Sequence, residues 1–159
     1  FFFVATYVCT TSTMSFSLLV GKWSGECQTF DYSAKAPGTT STTVKGTIDA
    51  ERETFELRVT NTQPDGMTSS DLMVFAHPKD GTATELTCTS SSLPPEYKVT
   101  LKDEGQGLFL LRAQPPSADK HVRVQTFIVN PLELTTSWQQ YSEDGQVFHV
   151  GMTRATKCG

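Results

Sequence analysis

Long apolar runs are missing from this chain: no stretch approaches the roughly 18 residues that a membrane-spanning helix requires. Charge is sparse as well, at 19% of residues. The 13 Lys and Arg side chains are scattered along the sequence, and phosphate recognition needs them clustered, so nucleic acid is an unfavoured partner. Acidic residues are in slight excess, giving a net charge of −4 and a pI near 5.3. No segment of about ten residues carries the 3.6-residue apolar period of an amphipathic helix. Nor does the sequence hold a nucleophile elbow, a P-loop, a metal-spaced His/Cys cluster or a Gly-rich dinucleotide turn. An enzymatic reading therefore has no positive support, and most carboxylates (Asp65, Asp80, Asp103, Glu104, Glu143, Asp144) sit in turns. What remains is a chain of 159 residues, 37% hydrophobic and rich in Thr and Ser. One domain of that size buries roughly 70% of its unfolded surface without needing disulfides or a metal. The composition excludes disorder and a coiled coil.

Short, even punctuation is the strongest signal present. Ten alternating or apolar stretches occupy 22–31, 40–49, 53–61, 70–76, 83–90, 96–102, 107–114, 120–129, 133–141 and 146–156. Turn clusters separate them: Ala36-Pro37-Gly38, Pro64-Asp65-Gly66, Lys79-Asp80-Gly81, Leu93-Pro94-Pro95, Asp103-Glu104-Gly105, Pro115-Pro116 and Glu143-Asp144-Gly145. Gly relieves the positive-φ positions of tight turns, so such clusters between alternating runs mark hairpins. Consecutive hairpins make an up-and-down meander, and closure removes its edges. The expected fold is all-β, a closed up-and-down antiparallel barrel of eight to ten strands, with a sandwich as the alternative. Residues 15–159 form the barrel domain, with a short helix or turn within 14–20.

Residues 1–14 stand apart. The apolar FFFVATYVC stretch reads as the remnant of a signal h-region, as upstream sequence before Met14, or as an N-terminal strand or arm. The first reading implies a secreted or organellar protein, the second a cytoplasmic one.

Strand parity assigns faces. Trp23, Gly25 and Cys27 share one face of the first stretch, opposite Lys22, Ser24 and Glu26. Phe55, Leu57 and Val59 oppose Glu56 and Arg58; Tyr97, Val99 and Leu101 oppose Lys98 and Thr100. With charged faces placed toward water, Arg58, Arg123 and His149 point outward, while Phe148, Val150, Met152 and Arg154 share the opposite face from His149. Phe109 and Leu111 share a face opposite Arg112 in a stretch whose parity is ambiguous.

Gly21-Lys22-Trp23 opens the first strand and Arg154 lies in the last. This pattern resembles the calycin superfamily of lipocalins, fatty-acid-binding proteins, nitrobindin-like proteins and lipocalin-fold bilin lyases. The resemblance implies that Arg154 packs across Trp23 by a cation–π contact and, with Gly21, closes one end of the barrel. Ten strands, and the lack of the Thr-Asp-Tyr signature, point to the fatty-acid-binding or nitrobindin-like branches. Pairing Trp23 with Arg154 sets Cys27 across from about Val150 and Cys158 across from about Leu19, too far apart to bridge. Cys158 reaches Cys9 only if the N-terminal arm folds back, and the disulfide state of Cys9, Cys27, Cys88 and Cys158 stays open.

The resemblance implies binding or transport of a small hydrophobic ligand such as a lipid, pigment, haem or bilin, without catalysis. The expected contacts are Cys27, Phe55, Leu57, Val99, Phe127 (or its neighbour Ile128), Trp138, Phe148 and Met152. Fatty-acid-binding barrels clamp a carboxylate with inward Arg residues, which brings in Arg112. Nitrobindin-like proteins hold haem through a His near the C-terminus, the position of His149. No metal site is expected from the residues themselves. Two other readings stand beside the binder: an accessory subunit of a larger assembly or homo-oligomer, its cavity filled by Trp138, Phe148, Phe127 or Phe109, and a chromophore lyase.

Overall fold

A computed structural model describes residues 16–77, 82–116 and 121–158; the arm at 1–14, Cys9 and the Lys79-Asp80-Gly81 turn lie outside them. A 3₁₀ turn, Phe16–Leu19, precedes ten strands: β1 (Gly21–Asp31), β2 (Ala36–Asp49), β3 (Thr54–Thr62), β4 (Thr68–Ala76), β5 (Glu85–Ser90), β6 (Lys98–Gly105), β7 (Leu108–Gln114), β8 (Arg123–Val129), β9 (Glu133–Tyr141) and β10 (Val147–Cys158). Each pairs antiparallel with the next, and β1 pairs with β10, so the sheet closes into an up-and-down barrel. Closure leaves no edge for another chain to extend. Among the described residues, no helix is long and apolar enough to cross a membrane.

The turns are built by side chains that accept backbone N–H groups. Asp31 takes those of Ser33 and Ala34, Asp49 those of Glu51 and Arg52, Asp65 that of Met67, and Asn130 those of Leu132 and Glu133. These Asx turns are why short acidic residues punctuate the sequence. One turn sits earlier than its sequence cluster. Ala36, Pro37 and Gly38 pair with Asp31, Phe30 and Thr29 inside β2, and the chain reverses at 32–35 instead. Pro37 is tolerated there because β3 joins β2 only from Ser41 onward, which leaves the prolyl nitrogen without a ladder to serve.

One end of the barrel is packed solid. Phe16 and Leu19 of the 3₁₀ turn are buried, with the Phe16 ring 5.6 Å from Phe109 and 6.3 Å from Phe55. A side chain at position 46 would overlap the Leu19 carbonyl, so Gly46 lets this turn settle onto β2. Phe75 stacks on Phe55 at 5.6 Å, and Leu57, Val99, Leu101, Phe127 and Leu134 complete this core.

Trp23 is fully buried at this end, but Arg154 does not cover it. In the β1–β10 register Trp23 faces Lys157, whose ammonium lies 5.4 Å from the indole centre. Arg154 faces Glu26 and points outward. The true register is displaced by three residues from the expected one, an odd number, and an odd slip exchanges the two faces of a strand. Cys27 therefore faces Thr153 and Cys158 faces Lys22. Cys27, Cys88 and Cys158 are free thiols.

Candidate functional site

Polarity runs along the barrel axis. Inward residues of β1 pass from Trp23 to Cys27 and Thr29; those of β3 pass from Phe55 and Leu57 to Val59 and Asn61. On the strands of opposite direction the order reverses, as in β8 from Arg123 and Gln125 to Phe127 and Val129. The apolar halves together form the solid core. The polar halves surround a cavity of about 320 Å³ at the other end, within the range of ligand pockets. Its walls carry hydroxyls (Thr29, Thr40, Thr42, Thr136, Thr153, Ser69) and amides (Asn61, Gln63, Gln125, Gln140), with Cys27, Val44, Val59 and Trp138 as the apolar part.

Trp138 and Gly151 are cross-strand partners on β9 and β10. A Cβ at position 151 would overlap the indole, so the Trp138 ring lies against the bare backbone while lining the cavity. His149 meets it edge-on at 4.8 Å. The sequence parity had placed His149 outside. His149, Gly151 and Thr153 share one face, as the alternation reads, but the displaced β1–β10 register turns that face inward, so His149 and Thr153 line the cavity and Gly151 is buried beside them. Met152 and Phe148 are correspondingly outward, 43% and 39% exposed, and make no cavity wall.

The second feature is an ion pair reaching from β4 to β8. Arg123 Nη1 donates to Asp71 Oδ2 at 2.9 Å, with both side chains largely buried. Asp71 Oδ1 accepts from the Ser90 hydroxyl at 2.8 Å, the Ser91 hydroxyl at 3.3 Å and the Ser92 N–H at 3.2 Å. Burial pushes the Asp71 pKa up, but the bonds from Ser92 and Ser90 and the Arg123 charge outweigh it and hold it below the usual carboxylate value. β5 ends at Ser90, level with Met73, and the chain after it supplies the groups that hold Asp71. The same carboxylate, with burial as the larger cause, pushes the Cys88 thiol up to about 12.

Two polar atoms on the β8 wall have no partner among the described residues, Arg123 Nε and Gln125 Oε1. A buried polar group left unpaired costs about 1–3 kcal/mol. Gln125 is 2% exposed, and Trp138 is its register partner on β9.

Of the expected ligand contacts, Cys27 and Trp138 do line the cavity. Phe55, Leu57, Val99 and Phe127 point inward but are packed in the solid core, and Ile128 is outward and 56% exposed. Arg112 is also outward, on the outer wall with Lys98, Thr100 and His121, so it forms no carboxylate clamp inside. Arg123, expected in water, is the Arg that enters the cavity. Asp71, Arg123, Gln125 and His149 were missed because polar residues were assigned to solvent. The gradient that reverses with strand direction is the signal that locates them.

The calycin resemblance implies haem ligation, and His149 does enter the cavity. Its surroundings do not fit the macrocycle, which needs broad apolar faces on both sides where this cavity offers hydroxyls and amides. Among the described residues, no three His, Cys, Asp or Glu side chains assemble as a metal site.

No family model matches the chain. No curated protein matches it either. Among solved structures, it is similar to a protein of unknown function from the DUF3598 family of Nostoc punctiforme, with a TM-score of 0.60 and 14% identity. That likeness covers 89% of this chain but 48% of the other, so this chain spans about half its length. It is also similar to Rv2717c from M. tuberculosis, with a TM-score of 0.63, 13% identity and coverage of 90% and 94%. At such identities the likeness carries the fold alone: the chain is a closed ten-strand antiparallel barrel.

Proposed function

We propose that this protein is a non-enzymatic binder of a small organic molecule in the mouth of a calycin-like barrel. The supporting observation is the half-filled interior: aromatic side chains close one end, while a cavity of about 320 Å³ persists at the other. Phe109 and Phe127, the side chains that would fill the cavity of a purely structural barrel, lie in the packed half. An apolar ring or chain would rest on Trp138, Val44 and Val59, with its polar edge toward the hydroxyls and amides. The ligand is hydrophobic in part, not throughout.

The test is a titration of the full chain with fatty acids, retinoids, haem, bilins and small heteroaromatic compounds, followed by tryptophan emission and thermal unfolding. A Trp138→Phe variant separates the cavity signal from that of Trp23. A micromolar ligand that raises the unfolding temperature and whose emission change vanishes in Trp138→Phe is the expected result. Absence of any such ligand overturns the reading and leaves the accessory-subunit alternative.

A further inference from the structure

We infer that Asp71 sets the ligand class of this cavity: by neutralising Arg123 it makes the site select an uncharged ring bearing a lactam or amide edge, and reject carboxylates. The inference rests on the binder reading above.

Charge is the first part of the argument. Arg123 is the one Arg or Lys among the described residues lining the cavity, and its Nη1 is committed to Asp71. Asp71 is in turn fixed by Ser90, Ser91 and the Ser92 N–H, which aim it at the guanidinium. A carboxylate ligand would thus approach a cation already matched, with a buried carboxylate behind it. The attraction is cancelled while the desolvation cost of the ligand's charge remains. His149, the remaining titratable wall group besides the Cys27 thiol, lies at the mouth beside Trp138 and across from Asp31. It is displaced from the Arg123 wall by the width of β9.

Unsatisfied bonding is the second part. Arg123 Nε is a donor and Gln125 Oε1 an acceptor; they lie two residues apart on one face of β8, and neither has a partner among the described residues. A ligand that answers both offers a carbonyl oxygen and an N–H on one edge, which describes a lactam, imide or secondary amide. Both atoms are hidden beneath the wall surface; Gln125 would meet the ligand by turning its terminal amide, and Arg123 by pivoting its guanidinium about the Nη1–Asp71 bond, which is kept. Trp138, the register partner of Gln125, lines the same cavity and supplies a platform for the ring that carries the edge.

Three bicyclic probes of matched size decide the matter by calorimetry: carbostyril, which has the lactam edge, its N-methyl derivative, which lacks the N–H, and naphthoate, which is anionic. Carbostyril should bind roughly tenfold more tightly than either of the others. In Gln125→Leu the preference over the N-methyl compound should vanish. In Asp71→Asn, which keeps the shape and frees the Arg123 charge, naphthoate should gain about tenfold. Circular dichroism establishes whether that variant is folded; if it is not, the wild-type ranking decides alone. Naphthoate binding as tightly as carbostyril to the wild-type protein overturns the inference, as does a folded Asp71→Asn that gains nothing. Equal affinity for carbostyril and its N-methyl derivative overturns the lactam edge. If other compounds bind and none of these three does, the ligand class is wrong and the binder reading survives; if nothing binds, both fall.

Discussion

The indole of Trp138 occupies the space that a Cβ on Gly151 would need. One aromatic wall of the cavity therefore depends on a missing side chain on the next strand. In Gly151→Ala the indole has to leave its seat, and overpacking of this kind costs about 1–3 kcal/mol. The expected outcome is a shifted Trp138 emission with the fold retained. Unchanged emission would show that the ring is not seated on the glycine.

Trp23 should behave as a core residue and its cation as an accessory. Trp23→Ala is expected to lose about 3–5 kcal/mol in urea unfolding. Trp23→Phe should lose less, because the indole N–H has no partner among the described residues and its removal forfeits no hydrogen bond to them. Lys157→Met should cost about 1 kcal/mol or less, as exposed cation–π contacts do, and Arg154→Ala should be neutral. A larger loss for Arg154→Ala than for Lys157→Met would contradict the β1–β10 register.

Acid should loosen the mouth. The folded pKa of Asp71 is depressed, so its contribution to stability is complete above the unfolded carboxylate value and is lost as pH falls through the folded one. Urea midpoints measured from neutrality downward should decline more steeply below about pH 4 in the wild type than in Asp71→Asn. Parallel curves would remove Asp71 from the account.

Thiol reactivity should rank the cysteines. Cys88 has its pKa pushed up to about 12 by burial and the Asp71 charge, so little thiolate is available at neutral pH. In a Cys9→Ser background, iodoacetamide should modify Cys158, which is partly exposed on β10, well before Cys88. Labelling of Cys88 at a comparable rate in the folded protein would show that its site is open.

Ten strands were legible in the sequence because turn chemistry is local: an Asp, Asn, Gly or Pro within a few residues marks each reversal. The interior was less legible because alternation gives two faces without saying which is which. Charged faces were sent to water, and that rule holds for Arg58 and Lys98 but fails for Arg123, whose countercharge Asp71 lies far away in the sequence. His149 was lost because the apolar face of β10, that of Phe148, Val150 and Met152, was sent inward, whereas it is the exposed one. Lys157 was lost to a register displaced by three residues. Each miss turns on a long-range partner or on how one strand pairs with another, and neither is written in the spacing of nearby residues.

The gradient from aromatic floor to polar mouth also divides the barrel by local cohesion. Strand segments near Phe16, Phe55 and Phe109 are tied by packed rings, whereas those near Thr29, Thr40 and Gln140 are held mostly by their ladder bonds around a cavity. Opening fluctuations that expose amides are cheapest where the fewest apolar contacts must break. A single closed sheet therefore has two exchange regimes along the same strands: mouth amides that trade hydrogen for deuterium through local fraying, and floor amides that wait for global unfolding.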